Sequence, residues 1–110
     1  MNRLSEYRIM WVFTMFDLPT ETKKERKAYA EFRKKLLKDG FNMFQFSTYI
    51  RHCASAENAQ AHINRVKKSL PEYGQVGILR ITDKQFGEME IFSCKKPIEK
   101  SIASTQLELF

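Results

Sequence analysis

A chain of 110 residues fits one domain and excludes a second core; at this size roughly 65% of the unfolded surface is buried, enough for a core without staples. With 19 Lys and Arg against 13 Asp and Glu, the formal net charge is +6, a balance compatible with polyanionic partners that decides little until the charges are placed. The apolar run Ile9 to Phe16 is too short to span a bilayer, and Cys53 and Cys94 without an export signal read as free thiols in a reducing cytoplasm.

Ile9 to Phe16 is aromatic and β-branched and is bounded by Asp17 and Pro19, which predicts a strand. Thr22 with Glu25 three residues later forms a capping-box pattern, so a helix is expected from there to about Lys38, stopped by Asp39-Gly40. Ala28, Tyr29, Phe32 and Leu36 share its apolar face. Phe41 to Cys53 alternates apolar and polar residues and is too long for one ordinary strand, so it is read as two strands meeting near Gln45 to Ser47. That turn lacks the Gly or Asn usual in tight hairpins. Ser55 is an N-cap for a second helix with Ala56, Ala59, Ile63, Val66 and Leu70 on one face, ended by Pro71 and Gly74. Val76 to Ile81 reads as a strand, Thr82 to Gly87 as a loop, and Met89 to Cys94 as a short strand broken by Lys95-Lys96-Pro97.

This order predicts an α+β domain of the ferredoxin-like βαββαβ type over residues 1–94, with a C-terminal extension over 95–110 for dimer or partner contact. Both helices of that fold cover one sheet face. The first strand is nevertheless apolar on both sides: Ile9, Trp11, Phe13 and Met15 point one way, and Met10, Val12, Thr14 and Phe16 the other. A strand of this kind is expected to be buried on both faces. A second copy of the sheet, giving a twofold homodimer through sheet faces, is one cover. The C-terminal extension folding back is the other.

Lys23, Lys27, Lys34 and Lys38 lie within about 60° of one another on the first helix, opposite its apolar face, with Lys24 beside them. A solvated face with Glu–Lys pairs is the ordinary reading of such a helix. The stripe contains no acid, however, which points to a track for nucleic-acid phosphates that positions a duplex without reading its sequence. Arg51 is a further nucleic-acid-binding candidate. Asp17 closes the first strand, and across a dimer axis two copies would meet. Facing carboxylates need a cation or a shared proton, and Mg²⁺ is commonly held by one or two carboxylates and several waters. On its residues alone Asp17 reads first as a loop-facing carboxylate or an N-terminal helix anchor; paired across a dimer axis it is the metal-ligand and catalytic candidate. His52, Cys53, His62 and Cys94 lack zinc-ligand spacing, and adjacent strand residues such as His52 and Cys53 point to opposite faces. No P-loop, dinucleotide fingerprint or nucleophile elbow is present.

Phe16-Asp17-Leu18-Pro19, Thr22-Lys23-Lys24-Glu25-Arg26-Lys27, Asp39-Gly40-Phe41 and Gln45-Phe46-Ser47-Thr48-Tyr49-Ile50-Arg51 together resemble the CRISPR-associated protein two family, in particular members that accompany Cas9-type systems. The resemblance covers about residues 8–94; many relatives have tyrosine where Phe16 stands. It implies a ferredoxin-like homodimer set between two dimers of the CRISPR integrase subunit, spanning the double-stranded DNA fragment that awaits insertion. It implies that Asp17 binds Mg²⁺ jointly with its counterpart, and that some relatives cleave RNA or DNA through it. Relatives often add a short C-terminal strand against a partner, a role that falls here to Leu107, Leu109 and Phe110. Two functions follow: a non-catalytic scaffold for integration, or a metal-dependent endonuclease acting in that complex or alone.

Overall fold

The computed structural model describes residues 7–94 and 96–98. Strand β1 (Met10–Asp17) is the pivot of the fold. It is followed by α1 (Lys23–Lys38), β2 (Asn42–Gln45), β3 (Thr48–Cys53), α2 (Ala56–Lys68) and β4 (Gln75–Thr82). The four strands form one sheet in the order β2-β3-β1-β4. β1 runs antiparallel to both neighbours, from Met10↔Cys53 to Met15↔Thr48 on one side and from Met10↔Thr82 to Asp17↔Gln75 on the other. This is the ferredoxin-like arrangement expected from the element order.

The local signals explain the boundaries. Thr22 Oγ1 accepts the Glu25 N–H at 3.1 Å, while the Glu25 carboxylate accepts the Thr22 N–H at 2.9 Å, which satisfies orphan donors at the start of α1. Ser55 caps α2 by accepting from the Asn58 N–H at 3.0 Å. The β2–β3 hairpin turns without glycine because Ser47 takes the left-handed conformation, φ 62°. That strain is offset by two bonds: the Ser47 carbonyl accepts from the Phe16 N–H at 3.0 Å, and its hydroxyl shares a hydrogen with Tyr29 at 3.2 Å. A register shift between Met43 and Gln45 accompanies the turn.

Both helices pack on the face formed by Met10, Val12 and Phe16. Phe32 and Leu36 from α1 and Ala59, Ile63 and Val66 from α2 meet Phe41, Tyr49 and Cys53 there. Phe16 sits among the rings of Tyr29, Phe32 and Tyr49. The expected face of α2 is corrected at three positions. Ala56 is exposed in the first turn, Leu70 lies beyond the helix end and is exposed, and His62 is buried in their place.

The opposite face carries Trp11, Phe13 and Ile50, and its cover corrects the sequence reading at Thr82 to Gly87. That segment is not a loop but a helix, α3 (Asp83–Glu88). A second capping box, Thr82 with Gln85, starts it. Phe86 stacks on Trp11 with centroids 4.1 Å apart, and the Trp11 indole N–H donates to Asp83 Oδ1 at 2.8 Å. The next strand, β5 (Ile91–Ser93), is shorter than the expected Met89 to Cys94. Lys96-Pro97 does not end strand structure: β6 (Lys96–Ile98) pairs antiparallel with β5 in a separate two-stranded sheet. A proline tolerates this position because a two-stranded ribbon consists of edges. The remainder of the predicted 95–110 extension lies outside the described residues.

Candidate nucleic-acid interface and the Asp17 end of the sheet

Asp17 is exposed at the C-terminal end of β1 and, by strand alternation, shares the face of Phe13 and Met15, away from α1 and α2. Its side chain makes no ion pair with the described residues. The chain turn at Asp17-Leu18 is pressed against Gly74. A Cβ on Gly74 would lie 2.6 Å from Leu18 Cδ2 and 2.8 Å from the Asp17 carbonyl oxygen, and Gly74 has φ 102°. Only glycine meets both demands. Gly74, read from sequence merely as a helix stop, is thus a positioning residue for Asp17.

Among the described residues, no group of three His, Cys, Asp or Glu side chains is arranged to hold a metal. Asp17 presents an open carboxylate at this end of the sheet. That donor suits a hard cation, and it fits Mg²⁺ as half of a shared site, since Mg²⁺ keeps several waters and takes one or two carboxylates.

The lysine stripe is fully realised on α1. Lys23, Lys24, Lys27, Lys34 and Lys38 are all exposed, and none forms an ion pair with a described residue. The arginines of the same helix behave differently. Arg26 donates to the Thr20 and Glu21 carbonyls at 3.1 and 3.0 Å, and Arg33 donates to the Tyr49 hydroxyl at 2.6 Å. Glu25, the acid nearest the stripe's start, has a carboxylate oxygen engaged by the Glu21 and Thr22 N–H groups. Among the described residues no Glu–Lys ion pair forms on this face, although Glu31 lies four residues from both Lys27 and Lys35. α1 presents a track of exposed ammonium groups about 24 Å long at 1.5 Å per residue.

Arg51 is placed apart from that track. It is half-buried, donating from Nε to the Asp39 carbonyl at 2.8 Å and from a terminal nitrogen to the His52 carbonyl at 2.6 Å. It braces the α1–β2 connection beneath Gly40, which turns with φ 89°. Leu107, Leu109 and Phe110 lie outside the described residues.

His52, His62 and Cys53 are packed into the structure, while Cys94 is exposed. His52 packs edge-on against Trp11 at 5.1 Å. Partial burial holds its imidazole below the ordinary value of 6.5, with Arg51 adding to the lowering and Asp83 opposing it. Burial pushes the Cys53 thiol up, against the opposing charge of Arg51. A cluster missed in the sequence joins the two helices: Asp39 Oδ2 accepts from His62 Nδ1 at 2.8 Å, and Asp39 Oδ1 accepts from Arg65 at 3.0 Å. The available signal was the position of His62 between Ala59 and Val66 at helical spacing, which sets it at the border of the buried face.

Comparison with known proteins agrees with this arrangement. The family model described as CRISPR associated protein Cas2 matches residues 10–89, which takes in β1 through α3. A protein of Flavobacterium psychrophilum named CRISPR-associated endoribonuclease Cas2 is 63% identical over 109 residues, covering 99% of this chain and 95% of the relative. A Parvibaculum lavamentivorans protein of the same name is 54% identical over 101 residues, covering 92% of this chain and all of the relative, 100%. A third, from Streptococcus mutans, is 40% identical over 100 residues, covering 91% and 90% of the two chains. With the family model spanning the whole sheet and both long helices, this chain belongs to the CRISPR associated protein Cas2 family.

Proposed function

We propose that this chain is a dimeric, DNA-binding scaffold of CRISPR adaptation, which bridges integrase dimers and holds the double-stranded fragment awaiting insertion. The observation that carries this reading is the α1 face: five exposed lysines, none paired with a described residue. Ammonium groups in a line neutralise backbone phosphates and release counterions without consulting base identity. The homodimer is supported by the second sheet face. α3 covers its Trp11 end, while Met15 and Leu79 remain 38% and 47% exposed at the end that carries Asp17. A second copy seated on that apolar strip would complete its burial, repeat the lysine track and face one Asp17 with the other. Contact with the integrase is assigned to Leu107, Leu109 and Phe110 on the sequence pattern.

The printed name of the relatives, endoribonuclease, favours a second reading: a metal-dependent nuclease. There the two Asp17 carboxylates would hold Mg²⁺, which when bound supplies charge neutralisation and a water of lowered pKa near the scissile phosphate. The chain's own contributions are an exposed carboxylate, on a backbone turn packed against Gly74, and a cationic surface that brings phosphates to it.

The two readings separate on two variants. Reversal of Lys23, Lys27, Lys34 and Lys38 to glutamate is expected to abolish duplex retention and spacer insertion together. Asp17→Ala is expected to leave both intact while removing any RNA or DNA cleavage. Insertion lost in a folded Asp17→Ala protein would overturn the scaffold reading in favour of catalysis. Deletion of residues 105–110 is expected to weaken integrase binding and leave DNA binding unchanged.

A further inference from the structure

A second concentration of charge lies away from Asp17, where the C-terminal ends of α1 and α2 come together. A cleft of about 430 Å³ opens there, lined by Lys35 and Lys38 from α1, Arg65 and Lys68 from α2, and Asp39. Four cations thus face one carboxylate, and the geometry shows what the carboxylate does. Asp39 is held from both sides, by the 4% exposed His62 at 2.8 Å and by Arg65 at 3.0 Å. With the proton on Nδ1, His62 donates to Asp39 Oδ2, and the 3.0 Å approach of Arg65 to the same nitrogen is a close contact and not a hydrogen bond. The Asp39 charge is therefore engaged in orienting the guanidinium rather than opposing an incoming anion. The Arg65 side chain remains 60% exposed, so its remaining N–H groups open outward. A guanidinium held at one nitrogen, in a cleft whose lining also includes Lys35, Lys38 and Lys68, suits the charge of a phosphate group. Simple helix-end compensation needs no such buried support.

The cleft is also continuous with the α1 track. Lys38 is both the last residue of the lysine stripe and part of the cleft wall. We propose that this cleft is a phosphate-binding site, in which Lys35, Lys38, Arg65 and Lys68 take a backbone phosphate of a nucleic acid leaving the α1 track, and the partly exposed Asp39 carboxylate, backed by buried His62, holds Arg65. The inference rests on the nucleic-acid reading above for the source of the phosphate. Arg65 is here a binding residue; Asp39 and His62 are positioning residues.

The test uses the full chain and a short fluorescein-labelled duplex, with affinity measured across a salt series. The variant Lys35→Gln with Lys68→Gln leaves the Asp39 cluster intact. The variant Arg65→Gln with Lys68→Gln removes the fork. A stripe variant, Lys23→Glu with Lys27→Glu, lies at the far end of α1. Each cleft variant is expected to lose about three- to tenfold in affinity, and its logarithmic salt slope is expected to fall by about 0.9 for the lost phosphate. Unchanged affinity and slope in both cleft variants, with loss in the stripe variant, would overturn the cleft site and leave the scaffold reading standing. No change in any variant would overturn both. Polyglutamate of matched charge shifting the Asp39 and Arg65 amide resonances as strongly as the duplex would make the cleft an acidic-peptide site and overturn the nucleic-acid assignment.

Discussion

The two faces of the central sheet are covered by different means. On the helix side, Val12 and Thr14 are fully excluded from solvent, and Phe16 meets three rings. That cover comes from two helices whose apolar stripes have the right period for it. On the other side a six-residue helix, α3, lays Phe86 on Trp11, and the cover stops before Met15 and Leu79. The first face is complete in a single chain. The second is complete at one end and apolar but open at the other, where Asp17 stands. A face that is finished and a face that is half-finished impose different demands on substitution.

The largest expected effect is on the finished face. Phe16→Ala removes a ring packed in three directions and is expected to cost about 3–5 kcal/mol in urea unfolding. Phe86→Ala on the other face is expected to cost about 3 kcal/mol or less, because a short helix can settle into the gap, and to shift Trp11 fluorescence to longer wavelength. Equal costs would show that α3 is as integral as the long helices, and would break the contrast. Next in size is Gly74→Ala, expected to cost about 1–3 kcal/mol from the positive φ and the contact with the Asp17 carbonyl. The same substitution should disturb Asp17 backbone resonances more than those of residues across the sheet.

Met15→Lys with Leu79→Lys sharpens the comparison at the open end. Folding stability of the monomer is expected to change by no more than about 0.5 kcal/mol per site, since both side chains are already exposed. Sedimentation is expected to show loss of the dimer. A dimer that survives both lysines would place the second copy elsewhere.

The smallest effect is a pH dependence from His52. Its folded-state value lies below 6.5, so the unfolded chain binds the proton more readily. The stability it contributes is present above pH 6.5 and is lost as pH falls toward the folded value. Unfolding midpoints of His52→Gln should therefore fall less between pH 7 and 5 than those of the parent protein.

Much of the fold was legible because its signals are local. A capping box needs four residues, and Thr22 to Glu25 supplied them. Alternation over Phe41 to Cys53 revealed two strands even though Ser47 replaced the usual turn glycine. The T-x-x-Q pattern of Thr82 to Gln85 carried the same kind of information and was passed over as a loop, because α3 is too short to display an apolar period. At the candidate site, the lysine stripe was legible as a periodicity. The partners of the α1 arginines, the Thr20 and Glu21 carbonyls and the Tyr49 hydroxyl, were not legible, since they lie outside the helix.

Sequence alone determined the order of elements from β1 to β4, the ferredoxin-like class, the apolar character of both faces of β1 and the charge along α1. Each of these follows from spacing within one segment. Tertiary structure decided which partners meet: Trp11 with Asp83 across 72 residues, Asp39 with His62 across 23, and Arg51 with the carbonyls beneath Gly40. Such pairings depend on where separate segments are brought to rest by packing, and no periodicity within either segment encodes the other's position. The same reason explains Asp17: its place at the end of β1 was evident from Phe16-Asp17-Leu18-Pro19, while its setting beside Gly74 and an open apolar strip emerged only from the assembled sheet.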